Sequence, residues 1–213
     1  MSESVAQTVE TFFLQYPKHT YKKGEVILRA EDPPSGIMYL RKGFVRMYVI
    51  SENGEMLVLH VFKPGSFFPM MWALNDTPNR YFFDAVVPVE LHRAPREAVR
   101  TFVMKRPDIL YNFTSRLLLG TSGLLQRMEH LVLESAYVKT IKLLLYFAKN
   151  FGEKTPHGIM VSLTHREVAV WIGTTRETAS LQIEEFKKKG FLSYQRRKLV
   201  IHNPDELEKE LQQ

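Results

Sequence analysis

The stretch from Thr164 to Gln182, THREVAVWIGTTRETASLQ, crowds hydrogen-bonding side chains behind a single glycine. Arg176 can address a guanine with two parallel donors, and Glu177 can accept from a cytosine amine. Thr175 and Ser180 can bond base edges or phosphate oxygens. Leu181 can meet a thymine methyl, and Gln182 can read an adenine. Lys187, Arg196 and Arg197, with Lys198 beside them, are of the type that meets phosphates. This is recognition chemistry, and no catalytic motif competes with it. The chain has no phosphate-cradling glycine loop, no His–Glu–x–x–His and no Gly–x–Ser–x–Gly elbow, so an enzyme is not expected. Its 7 histidines are scattered, and its 0 cysteines exclude disulfides, thiolate nucleophiles and cysteine-ligated iron–sulfur clusters.

Such side chains read a polymer only if something rigid presents them. Two short helices crossing at a turn would do so. Thr164 can cap the first, with Glu167 three residues on completing a capping box, and it also stands at the edge of the candidate DNA face. Ala169 allows close approach of the helices, and Gly173 can take the positive φ of the turn. Thr174 or Thr175 caps the second helix. Val168, Ile172, Ala179 and Ile183 are the candidate shared core. GFLSYQRRKLVIHNP then reads as two strands around a basic tip, which makes the unit a winged one. From Ser135 to Pro204 there are 12 Lys/Arg against 5 Asp/Glu, a net of +7, while the last nine residues net −3. The basic part is thus the part that would meet a polyanion.

Upstream, residues 21–91 hold short β-branched and aromatic segments punctuated by glycine, including EVILRA, IMYLRKGFVRMYVI and MLVLHVF, and predict a sandwich or barrel-like roll. From Pro107 the pattern becomes helical. Leu110, Leu117, Leu124 and Leu131 recur every seven residues, with Phe113 and Gly120 between them, which predicts a dimer seam; packing on the chain's own roll would demand a similar stripe. The expected class is α+β: a roll over 1–106, a dimerisation helix over 107–134 and a winged helix-turn-helix over 135–213. The N-terminus shows no signal peptide and no apolar run spans a bilayer, so a cytoplasmic location without membrane partners is expected.

LTHREVAVWIGTTRETASLQIEEFKKKGFLSY resembles the winged helix-turn-helix of the cyclic AMP receptor and fumarate–nitrate regulator (Crp/Fnr) family of bacterial transcription factors, most specifically over Gly173–Thr178. The resemblance reaches upstream through the glycine-punctuated roll, RPDIL and SAYVKTIKLLLYFA. It implies a cyclic-nucleotide-binding-type jelly roll and a homodimer that regulates transcription from a pseudo-palindromic operator in double-stranded DNA, with RNA polymerase as a further partner. It also implies Arg176 and Glu177 as base readers, with Ser180 as a further contact. Leu181 stands where the family commonly has a second arginine, and Gln182 where it has a core aliphatic, which puts an inherited operator in doubt. In the roll, Arg80 stands at the family's phosphate-binding arginine, but Pro69 and Met70 replace its Gly–Glu pair and Tyr81 its serine. Leu124 and Leu125 stand where polar residues face the purine. Cyclic AMP is therefore not the expected effector. Phe67, Phe68, Met70, Met71, Trp72, Leu124 and Leu125, with Arg80, are the candidate pocket for another small molecule, although the apolar ones would equally fill a core. His60, His92 and His130 could in principle ligate a haem iron, but haem is not expected. The alternative function is a small-molecule-binding regulator of a protein partner, with a vestigial DNA-binding domain.

Overall fold

A computed structural model describes residues 4–195 and 198–212; the phosphate contacts expected of Arg196 and Arg197 lie outside the described residues. The chain divides into two compact units, Met1–Asn53 with Val58–Leu125, and Gly54–Leu57 with Gln126–Gln213.

The first unit opens on α1 (Val5–Leu14), an amphipathic helix started by a reciprocal cap. Ser4 Oγ accepts the Gln7 N–H at 3.3 Å, and Gln7 Oε1 accepts the Ser4 N–H at 2.9 Å. Eight strands follow: β1 (Lys18–Tyr21), β2 (Val26–Leu28), β3 (Ile37–Lys42), β4 (Val45–Ile50), β5 (Met56–Phe62), β6 (Phe67–Phe68), β7 (Phe82–Ala85) and β8 (Val89–Ala94). They form two four-stranded sheets, ordered β1-β8-β3-β6 and β2-β7-β4-β5. The run Ile37–Ile50 passes from the first sheet (β3) to the second (β4) through Gly43, which has φ +86° and where an added Cβ would fall 2.4 Å from the Pro88 carbonyl oxygen.

Ile37, Met38, Tyr39 and Leu40 are all buried, because the first sheet is covered on both faces. Met38 and Leu40 pack with Leu28, Phe68 and Phe83. Ile37 and Tyr39, pointing the other way, pack with Val9 and Phe13 of α1 and with Val99 and Val103. The last two belong to α3 (Arg96–Met104), which follows α2 (Met70–Asn75) and leads to α4 (Pro107–Leu133).

Helix α4 carries two apolar faces where the heptad suggested one. Phe113 is 6% exposed and stacks on Phe67 with ring centroids 5.5 Å apart. Leu117, Gly120 and Leu124 line a cavity of the roll. These members of the expected seam serve the roll, at least in part, because a helix packed on a sheet needs an apolar stripe of its own. Leu110 is 38% exposed, at the edge of the stripe, and Leu131 is half-buried. Further apolar positions face solvent one residue later in the heptad, at Tyr111, Leu118, Leu125 and Val132, exposed by 76%, 68%, 56% and 78%, with Leu119, Met128 and Leu133 also exposed beside them.

The second unit builds on α5 (Ala136–Phe151), whose Ser135 cap accepts the Val138 N–H and whose Ile141, Leu144 and Phe147 enter the core. It continues with β9 (Glu153–Thr155), β10 (Gly158–Val161), α6 (His165–Ile172), α7 (Arg176–Lys188), β11 (Leu192–Gln195), β12 (Lys198–Ile201) and α8 (Pro204–Lys209). The strands make one antiparallel sheet in the order β11-β12-β10-β9. Among the described residues no helix is long and apolar enough to cross a membrane.

Candidate nucleic-acid interface and ligand pocket

The turn between α6 and α7 forms for the reasons its residues suggest. Thr164 Oγ1 accepts the Glu167 N–H at 3.1 Å, and the Glu167 carboxylate accepts both the Thr164 N–H, at 2.7 Å, and its hydroxyl, at 2.9 Å. Gly173 closes α6 with φ +65°, a conformation that side chains disfavour. Thr175 caps α7 by accepting the Thr178 N–H at 3.2 Å. Val168, Ile172, Ala179 and Ile183 are all buried, as is Ala169 between the helices.

One face of α7 stays clear of this core. Arg176 and Glu177 are exposed on its first turn, and Leu181 is exposed one turn later. Other expected readers are engaged elsewhere. The Thr164 hydroxyl is occupied by its cap. Ser180 Oγ lies 2.8 Å from His165 Nδ1, and the other ring nitrogen of His165 bonds the Tyr194 hydroxyl. Ser180 is therefore part of a brace joining α6, α7 and β11. Gln182 turns its amide oxygen inward, where it is buried without a hydrogen-bond partner among the described residues. Such burial costs about 1–3 kcal/mol and takes that oxygen off the reading face. Lys187 Nζ donates to both Glu184 oxygens, at 2.8 and 2.9 Å, and lies 5.4 Å from the centre of the Tyr194 ring. Its hydrogen bond holds the Glu184 carboxyl below the usual range. Lys187 thus stands beside the wing strand, already partly neutralised.

Two further side chains stand beside this face. Arg166 and Tyr194 line the same concavity as Thr164, His165 and Arg176. Arg166 is exposed in the first turn of α6, within the capping-box tetrad, where its neighbours' capping roles hid it. Lys189 belongs elsewhere, since its ammonium donates to the Tyr137 hydroxyl at 2.8 Å and to Glu210 at 3.4 Å, and these bonds raise its pKa.

The last turns of α4 are tied to this unit by polar contacts. Arg127 Nη2 donates to the Trp171 carbonyl at 2.9 Å, at the negative end of the α6 dipole. Burial pulls its pKa below the usual arginine value. Glu134 accepts from Lys142 of α5 and bonds the His130 ring. Burial alone would raise its carboxyl, but those hydrogen bonds outweigh it and hold the pKa low.

The first unit contains a separate cavity of about 340 Å³. Phe67, Phe68, Met70, Met71, Trp72 and Leu124 line it, as their types suggested. Two expected members do not. Arg80 is exposed, beside a buried Asn79 whose amide donates to the Arg29 and Tyr81 carbonyls at 2.8 Å. That pair of bonds sets the loop so that Arg80 lies outside the lining. Leu125 follows Leu124 on the helix and faces away. The basic residue that does line the cavity is Arg116. It was hidden because it sits three residues after Phe113 inside an apolar stripe. Arg116 Nη2 donates to the Gly65 carbonyl at 2.8 Å, and its guanidinium carbon lies 5.3 Å from the centre of the Phe67 ring. The side chain is exposed, and partial desolvation of its guanidinium against the cavity wall lowers its pKa. His60 lines the same cavity against Phe62. His92 is buried, with Nδ1 2.8 Å from the Tyr16 carbonyl oxygen. Among the described residues no group of three or more histidines and carboxylates could hold a metal ion.

Comparison with known proteins assigns both units. Residues 18–106 match the family described as cyclic nucleotide-binding domain, and residues 138–210 match the Crp-like helix-turn-helix domain. The chain is 28% identical over 193 residues to the global nitrogen regulator of Synechocystis sp., covering 87% of this chain and 84% of that one. It is 22% identical over 201 residues to the cAMP-activated global transcriptional regulator CRP of Pasteurella multocida, covering 93% and 96%. A solved CRP/FNR-family transcriptional regulator from Thermus thermophilus shares the fold with TM-score 0.79 at 24% identity, over 92% of this chain and 99% of that one.

Proposed function

The chain belongs to the Crp/Fnr family of DNA-binding transcription regulators, and from that premise we propose that it works as a homodimer reading a two-fold symmetric operator, with no enzymatic activity of its own. The observation that carries this reading is the division of α7. Ala179, Ile183 and Phe186 lock one face into the core, and Arg176, Glu177 and Leu181 stand in solvent on another. A recognition helix needs that division, because the side chains that enter a major groove must be spared by the core. Arg176 and Glu177 read bases, Leu181 contacts a thymine methyl, and Arg166 and Tyr194 flank them at the backbone.

The solvent-facing series Leu118, Leu125 and Val132 supports dimerisation through α4. In a parallel pair it would set the two recognition helices to successive major grooves, about 34 Å apart. The roll (1–106) senses, the helix (107–134) dimerises and the remainder (135–213) reads DNA and presents a surface to RNA polymerase. The roll responds to a small molecule other than cyclic AMP, since Pro69, Met70 and Leu124 offer that nucleotide no hydrogen bonds for its ribose and purine. A regulator acting only on a protein partner has less support, because nothing in the core requires the polar side chains on the exposed face of α7.

Selection of bound duplexes from a random pool by the purified protein tests the assignment. Enrichment of a two-fold symmetric motif is the expected result. Failure to enrich any sequence, with and without cell extract, would sink it.

A further inference from the structure

Cyclic nucleotides present a ribose, a purine and a charged phosphate, and a cavity for them must return hydrogen bonds on several sides. The cavity in the first unit is built otherwise. Most of its wall is aromatic, thioether and aliphatic, with Phe68 and Phe83 stacked at 5.1 Å and Phe62 tilted against Phe68 at 4.8 Å; of its few hydroxyl residues (Ser66, Thr77, Tyr81 and Thr121), Thr121 donates to the Leu117 carbonyl. Among the described lining residues there is no aspartate, glutamate or lysine, and one arginine. Asn79, the most deeply buried amide there, spends its donors on backbone carbonyls.

Arg116 is the exception to this apolar character. Its Nη2 is committed to the fold, as donor to the Gly65 carbonyl, and no carboxylate among the described residues pairs with the guanidinium. The guanidinium lies against one carbonyl and the face of the Phe67 ring, in a side chain that solvent still reaches. A cation so placed beside an apolar wall, with no acid next to it, favours an anionic ligand over a neutral one of the same shape. Arg116 also stands on α4 itself, one turn before Gly120, where no side chain intervenes.

We propose that the roll cavity takes a small amphipathic monocarboxylate, with its apolar or aromatic body among Phe62, Phe68 and Phe83 and its carboxylate on Arg116. The inference rests on the reading of the roll as an effector domain and specifies the effector's class. A single guanidinium offers a planar carboxylate two parallel donors. It neutralises one negative charge, whereas a phosphate dianion would keep a second charge in an apolar cavity. The volume lies at the lower end of the range for small-molecule sites, which suits a ligand with one ring or a short chain. Ligand binding here would load α4 directly through Arg116, Leu117 and Leu124.

Calorimetric titration of the full-length protein with 4-phenylbutyrate, its uncharged amide 4-phenylbutyramide, and cyclic AMP tests this. The acid is expected to bind at least tenfold more tightly than the amide and than cyclic AMP. Arg116→Gln should bring acid and amide within twofold of each other while leaving amide affinity unchanged, which also shows that the variant is folded. Arg116→Lys should retain part of the preference, and Arg80→Gln all of it. Equal binding of acid and amide by the unaltered protein would overturn the proposal while leaving the cavity a ligand site. So would a preference that survives Arg116→Gln, or tighter binding of cyclic AMP. Binding of none of the three would overturn both the proposal and the effector reading. Operator binding, measured on the same preparation, fails or stands independently.

Discussion

Arg176 and Ser180 stand four residues apart on one helix, yet their commitments differ. The Arg176 guanidinium is in solvent, whereas the Ser180 hydroxyl is held by His165, whose ring is held in turn by Tyr194. Arg176→Ala should therefore cost about 1–3 kcal/mol on the selected operator and relax specificity at one base pair. Ser180→Ala should weaken binding far less, and equally on every sequence. Titration of both variants against operator and random duplex separates the two roles. Equal losses on the two duplexes for Arg176→Ala would remove it as a base reader. The same accounting of engaged groups explains what residue types alone did not reveal. Gln182 has the chemistry to read adenine, but its position on the helix turns its amide oxygen inward. Arg116 was overlooked because an arginine in an apolar stripe looks like a break in the stripe, and only the folded chain places it on the wall of a cavity.

At the scale of elements, the helix-turn-helix was legible because its signals are local. A capping box, one glycine with positive φ and a threonine cap each act within four residues. Thr175→Ala should accordingly destabilise the protein by about 1 kcal/mol in denaturant unfolding. The roll was legible as strands but its helices α1, α2 and α3 were not, since short helices draw stability from the sheet they cover more than from their own pattern. Helix α4 was half legible. Its heptad was plain, but periodicity does not say which neighbour a stripe faces. The structure separates the faces, and substitutions should do the same. Phe113→Ala removes a ring stacked on Phe67 and should cost about 3–5 kcal/mol of stability. Leu125→Asp should leave the unfolding midpoint nearly unchanged at low protein concentration and yield monomers in sedimentation. A dimeric Leu125→Asp protein would place the seam elsewhere.

For the molecule as a whole, charge sets the conditions under which it works. Operator affinity should fall steeply with salt, by about 0.9 log units per log unit of salt for each phosphate neutralised, and Arg166→Ala should reduce that slope as measured by titration across ionic strengths. Acid should act through Glu134. Its carboxyl is held lower in the folded chain than in the unfolded one, so its contribution to stability is complete above the ordinary glutamate range and is lost as the pH falls through the folded value. The stability difference between the natural protein and Glu134→Gln should shrink between about pH 6 and pH 3, as followed by urea unfolding.

The exposed trio on α7 has one more consequence. Arg176, Glu177 and Leu181 project from a helix whose packing is carried by Ala179, Ile183 and Phe186, so under the proposed function what the protein reads is separable from what keeps it folded. Mutational drift at those three positions is nearly free of stability cost, and a lineage could exchange one regulon for another without passing through a misfolded ancestor. The same separation makes the scaffold suited to reprogramming: a library randomised at only those three codons should consist largely of folded proteins that differ in the sequence they seek.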